Sequence, residues 1–174
     1  TRISSSPSDF NNKVISWQAE YYSRENLNAL KNSPDYYNAC APYNESNPNS
    51  TNNVGVPFNI SGNQLAHSGN GYIGMIFGLG GPNNPYYEYV FTPLITQLIA
   101  GEEYTFSMFV SLAENSSSDA INKVGAVFVE TLPFWNQHIT TSLMLSSNLS
   151  PQVYATEVIN DSQGWQEIRG SFFA

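Results

Sequence analysis

The stretch Glu103-Tyr-Thr-Phe-Ser-Met-Phe-Val-Ser-Leu112 decides the fold. Tyr104, Phe106, Met108, Val110 and Leu112 fall on alternate positions, and Thr105, Ser107, Phe109 and Ser111 fill the others. Successive side chains of an extended chain point to opposite faces, so this period of two describes a long strand with one face in a core. A helix would need its apolar residues three and four apart.

Working outward, the same pattern returns. Residues 123–130, Lys-Val-Gly-Ala-Val-Phe-Val-Glu, read as a strand apolar on both faces. Residues 71–77 and 87–91 read as two more, and residues 14–18, 153–158 and 165–173 complete the set. Residues 94–99 read as a short strand or an extended edge, with Pro93 keeping them from a sheet centre. Helical signal is confined to one turn at residues 25–30, stopped by Asn32-Ser33-Pro34. Strands at this spacing, joined by Asn, Gly, Ser and Pro, predict an all-β antiparallel sandwich or barrel. Long polar or Gly/Pro-rich loops are expected at residues 41–63, 78–85 and 113–122, and a short aromatic one at 132–138. Neither a repeat nor a composition break divides the chain, so residues 1–174 are expected to form one domain.

Composition narrows the function. The chain has 174 residues, a formal net charge of −8, one Cys and two His. Six basic residues give few cations to exchange for the counterions of nucleic acid or to meet anionic lipid. Neither nucleic acid nor direct membrane insertion is expected, since no run approaches the roughly 18 apolar residues of a membrane span. Cys40, His67 and His138 cannot assemble a standard structural zinc site. Charged residues make up 11% of the chain, against about 25% in an average soluble domain. Asn, Ser, Thr, Gln and Tyr supply the polarity instead, a mix common in secreted and surface proteins of bacteria.

Catalytic constellations are thin. The chain has no Gly-x-Ser-x-Gly elbow, and His67 and His138 lie in turn-like contexts. The strand-end acids Glu88, Glu114, Asp119 and Glu130 show no spacing that selects a hydrolytic pair. Residues 78–81 are glycine-rich without the Lys-Ser/Thr of a phosphate loop. The chain is therefore expected not to be an enzyme. A structural calcium would draw on Asp119 with Glu114 and Asn115, or on Asp35 with Asn38. The simpler account is that these side chains cap their own turns. Asn-x-Ser/Thr triplets occur at Asn44, Asn49, Asn59, Asn115, Asn148 and Asn160, as the abundance of Asn and Ser would itself produce.

Sugar binding is the reading the aromatics support. A pyranose face packs on an aromatic ring while amides take the hydroxyls, so a site needs exposed rings beside loop amides. Trp135 and Phe134, next to Asn136 and Gln137, form the sharpest group. Tyr36, Tyr37 and Tyr86 are further candidate rings, and Asn38 a further amide. The competing account is that each ring covers an open edge of the core.

Several phrases then become familiar. They are Ser33-Pro-Asp-Tyr-Tyr-Asn-Ala-Cys-Ala41, Gln64-Leu-Ala-His-Ser-Gly-Asn-Gly-Tyr-Ile-Gly-Met75 and Tyr86-Tyr-Glu-Tyr-Val90. With them come Leu98-Ile-Ala-Gly-Glu-Glu-Tyr-Thr-Phe-Ser-Met-Phe-Val-Ser-Leu-Ala-Glu114, Ile121-Asn-Lys-Val-Gly-Ala126 and Gly164-Trp-Gln-Glu-Ile-Arg-Gly-Ser-Phe-Phe-Ala174. Together they resemble the extracellular jelly-roll module of Bacteroidetes-type surface and outer-membrane proteins, which is similar to carbohydrate-binding modules and galactose-binding-like domains. The resemblance implies a two-sheet antiparallel jelly roll lacking its first and last strands. It implies an extracellular or outer-membrane-associated location, and glycan or cell-surface polysaccharide as partner. Adhesion is the role that would follow. It assigns no catalytic residue. The missing strands would take structural calcium ligands with them, along with a partner for Cys40. They would also leave an open sheet edge for protein subunits to pair with.

Overall fold

The computed structural model describes residues 17, 34–41, 43–48, 50, 53–79, 86–115, 121–122, 124–130 and 150–174. The expected strand at 14–18, apart from Trp17, and the helical turn at 25–30 lie outside them. The chain divides into two compact units, Thr1–Pro93 and Leu94–Ala174. Among the described residues all regular structure is strand, and every pairing is antiparallel. The fold is all-β, built from small two-stranded ribbons.

In the first unit, β1 (Asp35–Asn38) pairs with β4 (Gly71–Gly74), setting Tyr36 opposite Ile73 and Tyr37 opposite Tyr72. Between them lies a tight hairpin of β2 (Phe58–Asn59) and β3 (Gly62–Asn63). Ile60 and Ser61 make its turn, the Asn59 carboxamide oxygen accepts the Ser61 N–H at 2.9 Å, and Gly62 takes φ 140°. That backbone angle is open to glycine and rare for other residues. Residues 71–77, expected as one strand, are two: β4 ends at Gly74, and β5 (Phe77–Leu79) pairs with β6 (Tyr86–Tyr87) across a bulge. At the break, the Glu88 N–H donates to the Ile76 carbonyl at 2.9 Å, and the Ile76 N–H donates to the Glu88 carboxylate at 2.8 Å. A side-chain oxygen there occupies the place of a ladder carbonyl.

Among the described residues, the buried set of this unit is half polar. Tyr37, Val54 and Pro34 are buried, and so are Asn53, Asn59 and Glu88. The Asn53 amide is fully used: its oxygen accepts the Asn44 N–H at 2.9 Å, and its nitrogen donates to the carbonyls of Asn47 and Pro48, both at 2.9 Å. Asn59 donates to the Gly55 carbonyl at 3.1 Å and to the Tyr72 hydroxyl at 2.7 Å. A buried amide is tolerated only when its donors and acceptors are met, and here they are.

The second unit is organised by β7 (Glu103–Val110) paired along its length with β10 (Gln166–Phe173). The alternation of the sequence is the alternation of the strand. Glu103, Thr105, Ser107 and Phe109 are exposed, whereas Tyr104, Phe106, Met108 and Val110 turn inward. Against the inner face lies a smaller ribbon, β8 (Gly125–Ala126) with β9 (Val153–Tyr154). Val153, Ala155, Ile159 and Ile168 form the buried cluster, with Phe106, Met108, Val110, Val124 and Phe172 packed on it. The ribbons meet closely at Gly170, where a Cβ would stand 3.2 Å from a Val153 methyl. Phe128 closes one side, stacked on Phe172 at 4.5 Å and edge-on to Phe106 at 5.4 Å. Residues 94–99 form no strand and leave Ile95 fully exposed.

Candidate functional site

Of the residues expected to meet a ligand, Tyr36, Tyr37 and Asn38 stand together on β1. Phe134, Trp135, Asn136 and Gln137 lie outside the described residues. Tyr86 is the first residue of β6, its backbone paired with Leu79. Neighbours on a strand face opposite ways, so Tyr36 and Tyr37 cannot share one surface. The structure separates their roles.

Tyr37 points inward and is 2% exposed. This corrects its expected place among the stacking rings, because a ring enclosed on both faces offers nothing to a sugar. It packs on Tyr72, with ring centroids 5.2 Å apart, and lies over Gly74, where a Cβ would stand 2.5 Å from its Cε2. Its hydroxyl shares a hydrogen bond of 2.6 Å with Ser61 Oγ on the hairpin turn. Burial holds the phenol well above its ordinary pKa, and the nearby Asp35 carboxylate pushes the same way, against the Ser61 hydrogen bond. Tyr37 is thus a neutral hydrogen-bonding core residue with no capacity to act as a base.

Tyr36 and Asn38 share the opposite face with Ile73 and Gly71. Both are half-buried. The Tyr36 ring spreads across Gly71, where a Cβ would stand 3.1 Å from its Cε2 and from its hydroxyl oxygen. A side chain at 71 would press on the ring by a few tenths of an ångström, and glycine lets it lie close to the backbone. The Asn38 amide nitrogen donates to the Tyr36 hydroxyl at 2.7 Å, and its oxygen accepts the Cys40 N–H at 2.8 Å. The ring is therefore fixed at its polar tip and supported on one side. The Tyr36 hydroxyl proton and the second Asn38 amide hydrogen remain for another acceptor. This is an amphipathic, prepositioned surface, suited to an apolar face edged with hydroxyls.

Gly71 was the residue that side-chain chemistry overlooked. Its signal was the pair of glycines bounding Gly71-Tyr-Ile-Gly74, which the register sets opposite Asn38 and Asp35, on either side of the two tyrosines of β1.

Among the described residues no group of three or more His, Cys, Asp or Glu gathers as a metal site. Of the oxygen donors considered for calcium, Asp119 lies outside the described residues, and Glu114 accepts the Gln163 side-chain amide at 2.8 Å. Asn38 is engaged with Tyr36 and Cys40. His67 is exposed in the turn before β4, and His138 lies outside the described residues. Cys40 is an exposed free thiol. No protein-family model, characterised protein or solved structure matches the chain.

Proposed function

We propose that this chain is a non-catalytic recognition module, folded as a jelly roll, that binds glycan on an aromatic surface outside a bacterial cell. The observation that carries the reading is the Tyr36 ring, spread over Gly71 with its hydroxyl held by Asn38 at 2.7 Å. Ordering a tyrosine before a ligand arrives lowers the entropy that binding must overcome. The pair offers what a pyranose needs, an apolar plane with amide and hydroxyl at its edge. From the sequence alone, Trp135, Phe134, Asn136, Gln137 and Tyr86 join the same proposal as further rings and amides. An open, hydrated surface of this kind binds weakly, with Kd in the micromolar to millimolar range, about −8 to −4 kcal/mol.

A glycan array followed by titration calorimetry tests it. Tyr36→Ala should abolish binding while far-ultraviolet circular dichroism stays that of the wild type. Trp135→Ala separates the loop from the strand surface. Wild-type affinity in Tyr36→Ala would place the site elsewhere, and the absence of any bound sugar would end the glycan reading.

A second reading, a protein-interaction module, draws on a different observation. Leu94, Ile95 and Ile99 are exposed in the second unit, Ile95 at 105%, and Phe173 is 71% exposed. Single exposed apolar residues are ordinary, but Phe109, Val127, Val129, Tyr154 and Val158 are exposed in the same unit as well, and so much apolar surface is costly to leave in water. An assembled mass in solution together with a silent glycan array would favour this reading.

A further inference from the structure

Asn70-Gly71 is the one Asn-Gly pair in the chain, and it lies where β4 begins. We infer that Asn70 is a site of spontaneous modification, where the chain converts its own amide to aspartate and isoaspartate and thereby loosens the end of the β1–β4 ladder. The Gly71 main-chain N–H loses its proton to base, and the nitrogen forms a bond to Asn70 Cγ. The Cγ–Nδ2 bond breaks, and Nδ2 takes up a proton and leaves as ammonia. Water then opens the five-membered succinimide. Opening at the side-chain carbonyl gives aspartate, and opening at the main-chain carbonyl gives isoaspartate. Water is the only co-reactant, and nothing is oxidised or reduced.

Three features of the structure favour this step. Asn70 is exposed, in a turn that reaches it through Gly69 at φ 64°. The nucleophile is free of the β1 ladder. Ala39 N–H donates to the Asn70 carbonyl at 2.8 Å and Asn38 N–H to the Val54 carbonyl at 3.0 Å, so Asn38 and Gly71 face each other as a pair without mutual bonds. The Gly71 N–H is then directed away from β1. Finally, glycine at 71 is enforced by the fold, because a Cβ there would stand 2.4 Å from the Tyr37 carbonyl oxygen. A bulkier residue that would shield this nitrogen has no room. The Asn70 carbonyl must swing out for the ring to close, and its bond to Ala39 lies at the ladder's end, where fraying costs least.

The product has a structural consequence. Isoaspartate adds one carbon to the main chain between residues 70 and 71 and moves the carbonyl that Ala39 uses. The Ala39–Asn70 hydrogen bond is lost, and with it the anchor beside Asn38 and Tyr36.

The test is incubation of the full chain at neutral and mildly alkaline pH. Peptide mass mapping and isoaspartyl methyltransferase labelling follow the conversion. Asn70 should convert ahead of every other asparagine, faster at higher pH, and Asn70→Gln should abolish conversion there, since a six-membered ring closes far more slowly. Hydrogen exchange at the Ala39 amide should accelerate in the isoaspartate form. If Asn70 persists in the folded chain yet converts in urea, or if Asn115 or Asn160 converts first, the inference is overturned. Unchanged exchange at Ala39 would overturn its structural consequence. None of these readouts depends on whether a sugar binds.

Discussion

Among the described residues, the two units keep different kinds of interior. In residues 94–174 the buried cluster is Val153, Ala155, Ile159 and Ile168, held by removal of apolar surface from water. In residues 1–93 the buried set pairs Tyr37 and Val54 with Asn53, Asn59 and Glu88. The first kind is non-directional and needs volume to match. The second is directional and fails if one donor loses its acceptor. The contrast teaches that buried amides can share an interior with apolar side chains when each of their donors and acceptors is met. The unit that does this is also the one whose surface carries Tyr36 and Asn38.

The largest expected effect is in the apolar core. Ile168 is 3% exposed, and Ile168→Ala should destabilise by about 2–5 kcal/mol, read by chemical denaturation. Ile168→Val should cost only about 0.5–1.5 kcal/mol, because shape is nearly kept. Asn53 is the matching test of the other unit. Asn53→Ala strands the Asn44 N–H and the carbonyls of Asn47 and Pro48, and should cost about 1–3 kcal/mol. The sharper comparison is Asn53→Asp, which keeps size and the acceptor but turns a carboxylate oxygen toward two carbonyls. If Asn53→Asp is as mild as Ile168→Val, the interior of residues 1–93 is not held by direction, and the contrast collapses.

The same contrast decides what could be read from the sequence. The β7 alternation carried straight into the structure, because burial on one face forces a period of two. The strands of the first unit were legible only in part. Residues 71–77 carry a continuous apolar run, yet the strand stops at Gly74 and Glu88 serves the next backbone group, Ile76. Side-chain oxygens that replace ladder carbonyls leave no periodicity. Tyr36 and Tyr37 were equal candidates as residue types. What separated them is strand parity together with the two glycines of β4, each under one ring on its own face. The amides of Asn53 and Asn59 were indistinguishable from the many turn-capping asparagines around them.

A smaller effect tests the polar core by pH. Tyr37→Phe removes the hydroxyl bonded to Ser61 and should cost about 0.5–1.5 kcal/mol near neutral pH. The wild type has a second signature. The folded-state pKa of Tyr37 is raised, so the folded chain keeps the proton where the unfolded chain releases it. Its contribution is therefore fully present below about pH 10, the ordinary phenol value, and is lost as pH climbs through the folded value. In Tyr37→Phe the fall of stability above about pH 10 should be shallower, measured by denaturation at stepped alkaline pH. Equal slopes in the two proteins would show that Tyr37 ionises without opening the first unit.

The smallest effect concerns a place where the second unit borrows the habit of the first. In the β8–β9 pairing, Gly125 faces Tyr154 and Ala126 faces Val153, so the register continued would set Phe128 against Pro151. The Ala155 N–H to Val124 carbonyl bond, 2.8 Å, fixes which pairs exchange hydrogen bonds, and by alternation Phe128 and Pro151 should be one of them. Proline has no N–H to give. The neighbouring Gln152 supplies both halves: its Oε1 accepts the Phe128 N–H and its Nε2 donates to the Phe128 carbonyl, each at 2.9 Å. Because these groups are exposed, water replaces much of what is lost, and Gln152→Ala should cost no more than about 1 kcal/mol. Gln152→Glu should cost slightly more, since it keeps the acceptor and sets a carboxylate against a carbonyl. The decisive measurement is a double-mutant cycle with Pro151→Ala, which restores a main-chain N–H opposite Phe128. If Gln152 stands in for that missing donor, its deletion becomes nearly neutral in the Pro151→Ala background. Purely additive effects would mean that the carboxamide does something other than complete the ladder, and that among the described residues Glu88 is the case in which a side chain replaces a ladder group.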